Sequence, residues 1–260
     1  LSRQAIERRA KNDIAVTDAD FPISRSYIAM LSETGATPVV QSKWFATVVV
    51  ESPDSTVAEQ LQQLAIVDSV KWIWKGNLRV PAEEKREDRF VSEDEPLHNE
   101  YGYSYKQIKM LNGTKLHEAG FRGEGMRVAV IDAGFMNADR VSAFDSLRLL
   151  GTHNVVFPGK SVFVGDDHGT KVLSCLAADI PGVMVGTAPK ASYLLLKSED
   201  SDSEYPVEED YWTAAVEYAD SAGVDVISSS LGYFAFDTDE LSYDQDALDG
   251  RTAMISRAAN

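Results

Sequence analysis

Three polar clusters in this sequence have the residue types for nucleophilic attack on a carbonyl. Asp132 closes an apolar run in Val130-Ile131-Asp132-Ala133-Gly134. His168 stands in Asp166-Asp167-His168-Gly169-Thr170-Lys171-Val172. A third run ends in Ser228-Ser229-Ser230-Leu231-Gly232. A carboxylate behind an apolar run should be partly buried, and it then needs a hydrogen-bonding partner because an unpaired buried charge is costly. An aspartate can hold an imidazole in one tautomer and stabilise its protonated form, while the other ring nitrogen takes a proton from a serine. A strand end followed by glycine can accept an extended peptide as an added strand. Taken singly, each cluster has a plainer meaning: a turn starter, a surface or capping histidine, a strand running into a loop. The combination carries the chemistry.

The elements that must position these groups are readable. Arg127–Asp132, Ser192–Lys197 and Val224–Ser230 are short apolar runs that read as buried strands. His168–Ala178 and Pro206–Ala222 read as helices. The second has Pro206 and three acids in its first turn, a stripe of Tyr211, Ala214, Ala215, Tyr218, Ala219 and Ala222, and Gly223 as its stop. Strands alternating with helices predict a parallel sheet with helices on its faces, and such sheets carry their sites beyond the carboxyl ends of the strands. Gly134 lets the chain turn after Asp132 without a Cβ penalty.

Ahead of this α/β segment, residues 1–80 read as a small α+β module. Ser2–Lys11 and Ser24–Thr34 are helix-prone, with Tyr27, Ile28 and Leu31 on one side of the second. Ser42–Val50 reads as a strand. Residues 56–66 read as a helix opened by a Thr56/Glu59 capping box, and Ser69–Trp74 alternates like a strand, with Val70, Trp72 and Trp74 on one face. Residues 81–100 are charged and poor in apolar groups, so they read as a linker open to cleavage. Residues 101–260 then form the α/β part.

The 260 residues suit one large or two ordinary domains. A net charge of −16, with Arg8-Arg9 and Lys85-Arg86 as isolated basic pairs, gives no footprint for nucleic acid. No run reaches the ~20 apolar residues of a membrane span. The acidic stretches 199–210 and 237–249 read as solvated faces, since neither matches a calcium-loop spacing. One cysteine, Cys175, excludes an internal disulfide, and its apolar surroundings predict a small buried residue. Neither a Gly-x-Gly-x-x-Gly loop nor a Walker-type Gly-Lys-Ser/Thr is present, which argues against a nucleotide-binding α/β domain. Asn112-Gly113-Thr114 has the form of a glycosylation sequon and reads as a turn.

Four motifs in order resemble the subtilisin-like serine proteases: Asp132-Ala133-Gly134 after a strand, His168-Gly169-Thr170 opening a helix, Gly186-Thr187-Ala188-Pro189-Lys190-Ala191, and Val226-Ile227-Ser228-Ser229-Ser230-Leu231-Gly232. Residues 1–80 resemble the pro-region of subtilases of the Bacteroidetes type. The resemblance implies a parallel-sheet α/β catalytic domain, incomplete in this chain, behind an inhibitory α+β pro-domain. It implies Asp132 and His168 as triad residues, and Ser230, Leu231 and Gly232 as the substrate-binding strand. It implies processing near Lys85, Arg86 or Arg89, and secretion or display at the cell surface with any signal peptide upstream of Leu1. Calcium is the one cofactor the resemblance suggests, with no ligands assignable. Ala133 stands where Ser or Thr is common, and Lys171 where His is frequent. The family's oxyanion Asn and Gly-Thr-Ser nucleophile motifs come later than Asn260, and no serine here stands in such a motif. The expected partners are therefore the C-terminal remainder of the same protease, as a separate chain, and peptide or protein substrates. The competing expectation is a catalytically inactive protease-like binding module, or a protease inhibitor of the pro-domain type.

Overall fold

A computed structural model describes residues 1–74 and 99–260. The chain runs through α1 (Arg3–Lys11), α2 (Arg25–Glu33), β1 (Thr37–Ser42), β2 (Thr47–Glu51) and α3 (Val57–Gln62). It continues with α4 (Tyr105–Met110), α5 (Gly113–Glu118), β3 (Arg127–Asp132), β4 (Arg148–Asn154), α6 (His168–Ala177) and two-residue strands β5 (Asp179–Ile180) and β6 (Met184–Val185). It ends with β7 (Ser192–Lys197), α7 (Val207–Ala222), β8 (Val226–Ser229) and α8 (Met254–Ala259). The described residues divide into two compact units. One joins residues 1–74 with 202–222 and 232–260; the other holds 99–201 and 223–231.

The second unit is the α/β part. Its four-stranded sheet has the order β4-β7-β3-β8, and every pairing is parallel. β3 and β7 sit in the middle and are buried along both faces, which is why both read as continuous apolar runs rather than alternating ones. On one face Val128, Val130, Tyr193 and Leu195 pack with Leu173 and Ala177 of α6. That helix buries Gly169, Leu173 and Ala177, a spacing of four. Cys175 lies between those positions and is exposed, not buried as its apolar neighbours suggest. The outer strand β8 exposes Val226 and Ile227. It is held in register by Asp225, whose N–H donates to Arg127 O and whose carboxylate accepts from Arg127 N.

In the first unit Ser2 N-caps α1 and Ser24 N-caps α2, each with its side-chain oxygen. The run 42–50 is not one strand. It is the second half of an antiparallel β1–β2 hairpin, broken where Ala46 takes a left-handed conformation (φ 52°) and Ser42 Oγ accepts from Phe45 N. Trp44 therefore sits in the turn. α3 is shorter than the 56–66 pattern, and Thr56 does not cap it through its side chain. Asp54 instead accepts from both Thr56 N and Thr56 Oγ1. Residues 69–74 form no strand, and Trp72 is exposed. Leu31, Ala36, Val57 and Leu61 form the small core, with Val48 and Val50 packed on it.

α7 belongs to this first unit and contacts α1, β1 and α8. With neighbours on several sides it buries more than one stripe, including Trp212, Thr213 and Glu217, while Tyr218 is exposed. Its acids are not a solvated face. Glu209 is buried and accepts from Tyr243 Oη–H and Met254 N. Glu217 closes on the hairpin turn, accepting from Ser42 Oγ–H, Lys43 N and Trp44 N at 2.5–3.1 Å.

Candidate active site

Asp132 is the last residue of β3 and His168 the first of α6, so the two meet where the central strand leaves the sheet and the helix starts. Gly169 makes that meeting possible. A Cβ there would lie 2.4 Å from Gly134 O and 2.9 Å from Asp132 Cβ, so only glycine lets the first turn of α6 approach the strand end this closely. Gly134 plays a similar part, since a Cβ on it would reach 2.8 Å from Asp166 O. Asp166, which the sequence motifs did not single out, fixes the other side. Its carboxylate accepts from His168 N at 2.7 Å and from Ser201 Oγ–H at 3.0 Å, and its backbone oxygen accepts from Met136 N.

The side chains make the decisive contact. His168 Nδ1 and Asp132 Oδ1 are 2.7 Å apart, and Ala133 N donates to the same oxygen at 2.8 Å. An ionised carboxylate can only accept, so the imidazole proton lies on Nδ1 and Nε2 is left as the basic nitrogen. Asp132 is fully buried, whereas the His168 side chain is half exposed. Burial pushes the Asp132 carboxyl upward, with the donors from His168 and Ala133 opposing it. The bond to Asp132, and then its charge, raise His168 above the ordinary histidine value. Asp132 Oδ2 is buried and has no hydrogen-bond partner among the described residues. Ala133, which has no hydroxyl, offers none.

Residues 1–89 match the family described as the peptidase S8 propeptide domain of Bacteroidota. The chain is 32% identical over 147 residues to subtilisin E of Bacillus subtilis (strain 168), covering 55% of this chain and 36% of that protein. It is 31% identical over 133 residues to the major intracellular serine protease of the same organism, covering 48% and 40%. Over these stretches the chain is similar to the subtilisin-like serine proteases. The fold also resembles the crystal structure of fervidolysin from Fervidobacterium pennivorans, described as a keratinolytic enzyme related to subtilisin. That likeness has a TM-score of 0.54 at 15% identity over 91% of this chain and 36% of the other. The chain spans well under half the length of these two curated relatives.

The remaining predicted site residues fall as follows. Ile131 pairs with Ser229, so Asp132 at the end of β3 is level with Ser230 just past β8. Ser230 is exposed and Leu231 half-buried in the unit that holds Asp132, and Gly232 begins the segment assigned to the other unit. Lys85, Arg86 and Arg89 lie outside the described residues. The propeptide match runs past the Val80 boundary read from the sequence and takes in all three. Among the described residues no helix is long and apolar enough to cross a membrane.

Proposed function

We propose that the protein is a serine endopeptidase made as a zymogen, in which Asp132 and His168 are the acid–base half of a Ser-His-Asp triad. The observation that carries this is the 2.7 Å Nδ1–Oδ1 bond between a fully buried aspartate and a half-exposed histidine. His168 Nε2 takes the proton of a serine Oγ–H as that oxygen bonds to the substrate's carbonyl carbon. His168 then returns the proton to the leaving amine as the C–N bond breaks, and a water repeats the sequence on the acyl-enzyme. The serine and the oxyanion donor come from sequence outside these residues. Ser230, Leu231 and Gly232, following an outer strand, bind the substrate backbone as an added strand. The propeptide is removed by cleavage near Lys85, Arg86 or Arg89, and the enzyme works after secretion or at the cell surface.

The test uses the full gene product and a fluorophosphonate probe that labels activated serines. The reading expects one labelled polypeptide in the wild type and loss of label in both His168→Ala and Asp132→Ala. Equal labelling in the variants, or none in a protein whose propeptide has been removed, contradicts it.

A further inference from the structure

A histidine is an awkward first residue for a helix. The open end of α6 carries partial positive charge, and an imidazolium formed there adds to it. The residue in the capping position does not relieve this. Asp167 makes no side-chain cap, and its carboxylate is drawn one turn along the helix to Lys171 Nζ at 2.8 Å. Asp166 takes that part instead. Its Oδ1 accepts from His168 N at 2.7 Å, and its Oδ2 accepts from Ser201 Oγ–H at 3.0 Å. Its backbone oxygen accepts from Met136 N at 2.9 Å, and a Cβ on Gly134 would come within 2.8 Å of that oxygen. One residue is thus tied to three segments of the same unit: the exit of β3, the start of α6 and the exit of β7.

We propose that Asp166 is a positioning residue for proton transfer by His168: it fixes the histidine's backbone while Asp132 fixes the ring, and Ser201 fixes Asp166. The proposal rests on the reading above that His168 Nε2 is the working base. The ring meets a reactant at one place only if the Cα that carries it is also held. The bond to His168 N does this, because the N–H of a first helical residue has no intrahelical acceptor. The carboxylate also acts through its charge. The charged groups acting on the imidazole are Asp132 from β3, Asp166 from the loop before α6, and Lys171 within α6. Lys197 of β7 faces the same strand end, with its ammonium on Ala133 O. Asp132 raises His168 most, through its bond and its charge, and burial lowers it. The charge of Asp166 raises it further, against Lys171. An imidazolium formed in mid-reaction is therefore favoured by two carboxylates, one touching the ring and one holding the helix end. In this role Asp166 acts through His168 and needs no contact with substrate.

The experiment uses the full gene product and three variants. Asp166→Asn keeps an oxygen for His168 N and loses the charge. Asp166→Ala loses both. Ser201→Ala keeps the charge and frees one carboxylate oxygen. The pH profiles of kcat and KM are measured with a small peptide substrate, and the His168 imidazole is titrated by NMR. The expected result is a His168 midpoint, and with it the acid limb of kcat, displaced to lower pH in both Asp166 variants. On the plateau above that limb, kcat falls about tenfold in Asp166→Ala and less in Asp166→Asn and Ser201→Ala, with KM unchanged. A merely structural cap would lower Tm and leave the midpoint in place. That outcome, or a change confined to KM, overturns the proposal. If Asp166→Ala does not fold, the midpoint in Asp166→Asn decides. The titration needs no serine, so the proposal and the protease reading fail separately. A midpoint that responds to Asp132→Asn and not to Asp166→Asn removes only this proposal. One that responds to both, in a protein that labels no serine, removes only the protease reading.

Discussion

Two aspartates in this molecule, Asp132 in one unit and Asp220 in the other, each hold nitrogen donors at about the same distance and are pushed in opposite directions. Asp132 has one titratable partner, His168, and burial raises its carboxyl despite that bond. Asp220 is also pushed up by burial, but Arg9 and Arg8 outweigh this and hold it below the ordinary aspartate value. The lesson is about the partner. Guanidiniums keep their charge at any working pH, so the Asp220 cluster is a fixed joint. An imidazole gains and loses its proton near neutrality, so the Asp132 pair is a place where a proton can move. The half-exposed His168 keeps its basic nitrogen within reach of a reactant, while Arg9 is nearly covered.

The largest way to break this contrast is to leave the shape of the Asp132 site and remove its charge. Asp132→Asn in the full gene product lets His168 take the wrong tautomer, and kcat/KM should fall about 10⁴-fold. A drop under tenfold would mean the pair does not set the tautomer. Next in size is Gly169→Ala. The added methyl group must displace Gly134 O or Asp132 Cβ, so α6 shifts and kcat/KM should fall about 100-fold, together with a lower Tm.

The pH dependence separates the two aspartates more gently. His168 must be neutral to act as base, and its value is raised. Activity should therefore fall about tenfold per pH unit below a midpoint that lies above the ordinary 6.5 of histidine. For Asp220 the sign is the reverse of a raised group. Its depressed value adds stability that is present above the unfolded aspartate value and lost as pH falls through the folded one. Acid unfolding of the unit that holds Asp220 should thus begin far below the acid limb of activity, and coincident limbs would undo the contrast. The smallest expected effect is Cys175→Ser, which on an exposed helix face should change stability by no more than about 0.5 kcal/mol.

The Asp132–His168 pair was legible because each member announces itself locally. Asp132 ends an apolar strand, His168 opens a helix, and glycines beside both mark a close approach. β3, α6, β7 and α7 were legible for the same reason, since apolar runs and caps are written within each element. The Asp220 cluster was not. Arg8 and Arg9 lie 212 and 211 residues from Asp220, and a basic pair on a polar helix carries no sign of its partner. The β1–β2 turn was missed because no Gly, Pro or Asn marks it. It is held by Glu217, 175 residues from Ser42. Cys175 was misjudged because an apolar stretch was read as uniformly buried, whereas a helix lying on a sheet buries only every fourth residue or so.

The most direct test of the central claim is an NMR pH titration of His168 in the wild-type protein and in Asp132→Asn. The account predicts a wild-type midpoint above 6.5 that returns toward the ordinary histidine value in the variant, because the bond and charge that raise it are gone. Superimposable titrations would show that Asp132 does not govern the imidazole, and the triad reading would fall with it.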